Sequence, residues 1–342
     1  MQHIRQYDGI DVFRIIAAVL IVAIHTYPLL SINEFSNTLV VHVILRIAVP
    51  FFLMTTGYFL IPKLFLHKEA GFAPIRMFVI RTLVLYGIAC VIYIPIAIYS
   101  GLYHDVDLVP TLLRNVLIDG TFYHLWYLPA AITAVLVVYG LSRFLSLRSV
   151  MMVSVILYII ALMGDSYYGI ATQVPAIAWF YERLFTVITF TRNGFFYAPI
   201  FLMLGCVMFF QQKKYQLSDR TILIGGIISF VLLITEGILL IHVASPRHDA
   251  SYISLIPLMY FLFLAIERKK GKRSQFLRDT SLWVYIIHPL MIIVLRGVAR
   301  SLGLWGILVD NSVMRFVMVT IMSLIFAGIL SYILDRRRMK QV

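Results

Sequence analysis

Ten apolar runs follow one another along this chain with few charges inside them, each close to the roughly 20 residues that a helix needs to cross a hydrocarbon layer. They lie at 11–30, 38–61, 77–99, 123–141, 149–164, 195–211, 222–243, 251–266, 281–300 and 312–334. With no water to satisfy backbone amides, runs of this length are stable only as helices, so the expected fold is all-α: a polytopic membrane bundle of about ten transmembrane helices. Composition agrees, at 61% apolar and 13% charged, against roughly 45–50% and about 25% in soluble domains. A water-soluble globule and a disordered chain are both excluded. The first run follows a charged stretch (Arg5, Asp8, Asp11, Arg14) and lacks an Ala-x-Ala site, so it is expected to stay as a span rather than be cleaved as a signal. Between the fifth and sixth runs, 165–194 leaves room for an interfacial or re-entrant helix.

The net charge of +13 is carried by the loops. The N-terminus, the exits of the even-numbered runs (Lys63, Lys68, Arg76; Arg143, Arg148; Lys213, Lys214, Arg220; Arg268 to Arg278) and the tail (Arg336, Arg337, Arg338, Lys340) hold 19 Lys or Arg, whereas the opposite loops hold five: Arg114, Arg183, Arg192, Arg247 and Arg300. By the positive-inside rule both termini are expected in the cytoplasm of a multi-pass plasma-membrane protein. The basic residues thus answer to a lipid bilayer, and no nucleic acid is expected as a partner. Cys90 and Cys206 lie within apolar runs, without metal-ligand spacing, and no metal site is expected. No linker or repeat divides the chain, so 1–342 reads as a single membrane domain with no room for a soluble enzyme domain after 334.

Chemistry is sought among the polar residues that hydrocarbon should reject. Arg14, Arg46, Arg81, Arg296 and Arg315 fall inside the runs, where a charge costs on the order of 2.5–3.5 kcal/mol at mid-membrane unless it meets a cavity, a partner or, near a span end, the interface. Arg14 and His25 are eleven residues apart, which places them within about 20° on one helix face and ~16 Å apart along it; Asp11 can pair with Arg14. Arg46 precedes Pro50, Phe51, Phe52, Thr55, Thr56 and Gly57, and a proline here is expected to open the helix by freeing a carbonyl. Asp119 to Tyr127, which includes His124 and Trp126, opens the fourth span, where an aromatic belt and a site are both open readings. Thr191-Arg192-Asn193-Gly194 sets a cation directly against the sixth run, and Glu236 is the one acid well inside a run. Arg247-His248-Asp249 fits a charged turn as readily as a catalytic outline. Ser281, Tyr285 and His288 share one face of the ninth run, lining a cavity or knitting helices together.

These residues together resemble the membrane acyltransferase-3 family. Its first span carries a basic residue, ten residues and a histidine, matched by Arg14 and His25. Its second-span motif resembles Arg46 to Phe52 followed by Thr56-Gly57-Tyr58, and its late Ser-x-x-x-Tyr-x-x-His segment resembles Ser281 to His288. Within the family the chain is similar to the membrane domains of vancomycin-resistance serine racemases, through Tyr123 to Tyr127, Gly164-Asp165-Ser166, Thr191 to Gly194 and the Pro246 to Asp249 turn.

The resemblance implies two functions. One is binding of L-serine and its delivery to a cytoplasmic racemase domain that holds pyridoxal phosphate. Arg192 or Arg46 would take the carboxylate, Glu236 the ammonium and His25 the hydroxyl, with His124, Trp126, Asn193, Tyr285 and His288 as further substrate contacts. No racemase activity is expected from this chain alone. The other is acyl transfer from acetyl-CoA or another acyl-CoA to a hydroxyl acceptor, with His25 as general base or acyl carrier, Arg14 beside it, and Arg46 and Arg81 on the donor. Where the family commonly shows Arg-x-x-Arg, this chain reads Arg81-Thr82-Leu83-Val84. Arg76, five residues upstream, is turned away by about 140°.

Overall fold

The computed structural model describes residues 8–66, 72–102, 104, 107–211, 217–243, 245–269 and 274–339, and the described chain is helical, without strands. The helices are α1 (Asp8–Thr26), α2 (Glu34–His42), α3 (Ala48–Leu60), α4 (Pro62–Leu66), α5 (Phe72–Tyr99), α6 (Leu108–Arg114), α7 (Tyr127–Phe144), α8 (Leu147–Met163), α9 (Tyr168–Ala171), α10 (Pro175–Leu184), α11 (Ala198–Gln211), α12 (Asp219–Val243), α13 (Leu255–Glu267), α14 (Gln275–Ser301) and α15 (Ser312–Met339). Among the described residues, seven stretches are long and apolar enough to cross a membrane: Gly9–Thr26, Glu34–Leu66, Phe72–Tyr99, Tyr127–Phe144, Asp219–Val243, Gln275–Ser301 and Ser312–Arg338. The apolar helices α8, α11 and α13 fall on the expected fifth, sixth and eighth runs and are shorter than those seven stretches. The expected helix within 165–194 is present as α9 and α10. Arg5, Lys68, Lys213, Lys214, Lys270, Lys272, Arg273 and Lys340, counted above among the loop charges, lie outside the described residues.

The chain forms two units: Met1–Phe52 with Ser218–Gly237 and Pro257–Val342, and Leu53–Leu217 with Ile238–Ile256. In the first, α1 packs against α14 and α15, which lie along one another. The fully buried residues of α15 include Val319, Ser323, Ala327 and Ser331, four apart, and such a small-residue stripe lets helix backbones approach in lipid, where van der Waals contact replaces the hydrophobic effect. Phe13, Phe51 and Phe263 stack together, with centroids 4.6 and 5.9 Å apart, and join α1, α3 and α13. Arg315 was expected to reach for the membrane surface; instead Nε and Nη2 donate to the carbonyl of Thr26 at 3.0 and 2.7 Å, and Nη1 donates to that of Val309 at 2.7 Å. It caps the C-terminus of α1, whose last carbonyls have no helical partner.

The second span is broken, but not where proline alone would open it. Val43 leaves the helical region (φ −124°, ψ −63°), Ile44–Ile47 form a 3₁₀ turn, and α3 restarts at Ala48. Pro50 therefore sits in the first turn of α3, where a missing N–H costs no intrahelical bond.

In the second unit, α11 is the central element, packed on α7, α8 and α4. It meets α3 at two glycines: a Cβ on Gly57 would strike the backbone of Leu202, and one on Gly205 the backbone of Met54 and Tyr58. Around this crossing Tyr58, Tyr158, Tyr197 and Phe201 are fully buried. By contrast α5 presents a largely exposed apolar surface, with Val84 and Val91 at 59% and 77% exposure, as a lipid-facing helix does.

Candidate functional site

In the first unit, α1 carries its polar stripe at both ends, as its spacing predicts. At the Arg14 end, the buried Asp11 accepts from Arg278 Nη1 at 3.1 Å and from the backbone N–H of Ser274 at 3.0 Å, and its other oxygen lies 3.9 Å from Arg14 Nη1. Ser274 itself caps α14, accepting from the N–H of Leu277 at 3.2 Å. Asp11 thus neutralises two guanidiniums and fixes the start of α14 against α1.

At the other end, the rings of His25 and His288 stack with centroids 5.2 Å apart and planes inclined by 20°. Tyr285 lies one turn before His288, ring centroids 6.5 Å apart. His288 is fully buried, and its Nδ1 donates to the carbonyls of Tyr285 and Val284 at 2.8 and 3.2 Å. Ser281, expected on the same face, donates to the carbonyl of Arg278 at 2.9 Å. Ala23 and Ile24 pack on Val41 and Leu45, which brings the broken second span against His25's end of α1. There Arg46 Nη2 lies 3.3 Å from His42 Nδ1, and His42 stands 6.0 Å from the ring of Tyr27. Gly237 meets the side chain of Val43, setting Glu236 of α12 beside the same break. His25, Tyr285 and His288 therefore meet at one end of α1, with the broken second span that carries Arg46 packed against the same helix, while Arg14 belongs to the opposite end. His42 joins this group without having been singled out, since its neighbour Arg46 was the only polar signal weighed in that run.

In the second unit, Asp119 and Arg192 form the second candidate site. Gly120 takes φ +85°, a left-handed conformation that favours glycine, and its α-carbon packs on the backbone of Trp126. The turn directs Asp119 toward the 189–192 loop, where its carboxylate accepts from the N–H of Thr189 at 3.2 Å and lies 3.4 Å from Arg114 Nε. Burial pushes its pKa above the ordinary carboxylate range, opposed by the Thr189 hydrogen bonds and by the charges of Arg114 and Arg192. The Arg192 guanidinium lies over Phe190 at 4.6 Å and over Trp126 at 5.1 Å. Beyond Phe190 stands His248, 5.2 Å away edge-on, with its Nδ1 3.5 Å from both Asp165 and Asp249. Asp165 is buried and holds the 247–250 turn by accepting from the N–H of Ala250 at 2.8 Å; Arg247 stacks on Phe185 at 3.8 Å.

The other expected contacts of this unit are placed less openly. His124 is buried edge-on against Tyr93, Phe122 and Tyr123. Asn193 turns back on its own loop, donating to the carbonyl of Phe190 and accepting from the N–H groups of Phe195 and Phe196. Arg81 is exposed on α5, sharing a stripe with the exposed Met77, Val84 and Ile88. Among the described residues that stripe carries no second basic group, and Arg76 is exposed on another side.

The chain is 36% identical over 337 residues to an amino-acid racemase of Enterococcus faecalis, covering 98% of this chain and 46% of the relative. A second amino-acid racemase of that organism is 34% identical over 94% of this chain and 46% of its own length. A serine/alanine racemase of Enterococcus gallinarum is 34% identical over 93% of this chain and 45% of its own length. The chain thus spans about half the length of the curated relatives it matches. No solved structure matches it. An acyltransferase domain model matches residues 7–332, and on that coverage the chain belongs to the membrane acyltransferase-3 family.

Proposed function

We propose that this chain is a ten-span plasma-membrane domain, with both termini in the cytoplasm, that binds L-serine and delivers it inward to a racemase. The observation that carries the reading is the Arg192–Asp119 arrangement. A free amino acid presents a carboxylate and an ammonium about one residue's length apart, and this loop sets a guanidinium and a buried carboxylate together against aromatic walls. Arg192 takes the carboxylate and Asp119 the ammonium, the role the sequence had given to Glu236. Trp126 and Phe190, on which the Arg192 guanidinium lies, form the apolar wall of the proposed site. The likeness over nearly the whole chain to proteins named as amino-acid and serine/alanine racemases supports the substrate class, and the exposed, single Arg81 speaks against an acyl-CoA donor. His25, stacked on His288, is where the serine hydroxyl is handled during delivery.

A second reading, O-acyl transfer with His25 as general base, is favoured by the family and by the imidazole pair, since an imidazole can accept a hydroxyl proton near neutral pH. Uptake of labelled L-serine into vesicles containing the full chain separates the two. Saturable uptake that disappears in Arg192→Ala and in His25→Ala is expected. Thiol release from acetyl-CoA without serine uptake would favour the second.

A further inference from the structure

The His25–His288 stack has a cause in the backbone. In a continuous helix the carbonyl of Tyr285 receives the N–H of residue 289, but residue 289 is proline and has none. That carbonyl lies within the membrane-spanning helix α14, where an unmet acceptor is costly. His288 Nδ1 meets it at 2.8 Å, the shorter of its two carbonyl contacts. Both partners of Nδ1 are acceptors, so Nδ1 carries a proton, and in the neutral ring Nε2 is left with the lone pair. The bond also sets the ring's plane, and the fully buried side chain has no room to turn. The face so fixed is the one on which His25 stacks, with planes only 20° apart. Nδ1 is committed to the two carbonyls, so the contact orients His25 rather than exchanging a proton through that nitrogen.

We infer that His288 is a positioning residue for His25: Pro289 frees the Tyr285 carbonyl, that carbonyl locks the His288 ring, and the locked ring fixes the imidazole that acts. The inference rests on the reading that His25 is functional. Phenylalanine at 288 keeps the stacking face but strands the Tyr285 carbonyl, and alanine at 289 returns the backbone N–H that would satisfy it.

The test uses the full chain in lipid nanodiscs and in vesicles. Side-chain ¹⁵N NMR of the wild type should show His288 as the Nδ1–H tautomer, and Pro289→Ala should convert part of it to the other. His288→Ala should reduce the His25-dependent activity, L-serine uptake or acetyl-CoA thiol release, by about 100-fold, the loss that a misplacement of about 1 Å causes. His288→Phe should be unstable, and His288→Phe/Pro289→Ala should recover both the melting temperature and an activity within about tenfold of wild type. An Nε2–H tautomer in the wild type would overturn the inference, as would a folded double variant as inactive as His288→Ala. If His25→Ala alone keeps full activity, the functional reading of His25 fails, while the tautomer result still stands or falls separately.

Discussion

Under the proposed function, Asp119 serves both stability and binding. Burial holds its pKa above the unfolded value, so its contribution to stability is fully present below the unfolded carboxylate pKa, about 3.9, and is lost as pH rises through the folded value. As pH rises above about 4, the melting temperature of the wild type should therefore fall relative to that of Asp119→Asn, whose amide oxygen can still accept from Thr189; parallel curves would contradict the assignment. Binding has the opposite sign, because an ammonium needs the ionised carboxylate. L-serine affinity should rise with pH over the same interval in the wild type and stay low and flat in the variant. Arg315 makes the complementary case of a cation with a structural role. Arg315→Met removes three hydrogen bonds from a charged donor to carbonyls and should lower stability by about 2 kcal/mol, measured by unfolding in detergent, without changing the affinity of the Arg192 site. Neither role was specified by the sequence: Asp119 opened a candidate segment without a role of its own, and Arg315 lay within reach of the interface. What pairs them with their partners is tertiary contact across 70 and 289 residues, which local spacing does not encode.

The helices themselves were far more legible, because hydrocarbon leaves a chain few alternatives. Arg14 and His25 do share α1, and Ser281, Tyr285 and His288 do share α14, since the 3.6-residue period fixes faces once a helix is given. The break in the second span was anticipated from Pro50 but falls at Val43 to Ile47, because a proline that can sit in the first turn of a restarted helix needs no kink of its own. Close crossings were not anticipated, as glycine within an apolar run reads the same whether it faces lipid or a neighbouring backbone. The structure separates the two. Gly57→Ala and Gly205→Ala drive a methyl into backbone and should each cost about 3 kcal/mol or prevent folding. Gly87→Ala and Gly140→Ala meet nothing and should be neutral or stabilising by up to about 1 kcal/mol. Equal losses at all four positions, read as melting temperatures, would contradict the α3–α11 crossing.

For the whole molecule, the proposed orientation rests on the distribution of loop charge, 19 against five, and it is open to direct measurement. With Cys90 and Cys206 replaced, a cysteine at the exposed Ser146, between α7 and α8, should be labelled by an impermeant maleimide only after the membrane is opened. One at the exposed Glu182 on α10 should be labelled in intact cells. The reverse pattern would invert the proposed route. The two units each carry a polar cluster that lipid would reject, one at Asp119 and Arg192 and one at His25 and His288, and the account holds that the first recognises a free amino acid. The most direct test is thermal unfolding of the purified full chain with increasing L-serine or acetyl-CoA, since a ligand that binds the native state raises its melting temperature with concentration. The account predicts a saturable rise with L-serine in the wild type, no rise in Arg192→Ala, and none with acetyl-CoA in either. A rise with acetyl-CoA, and no response to L-serine, would contradict it.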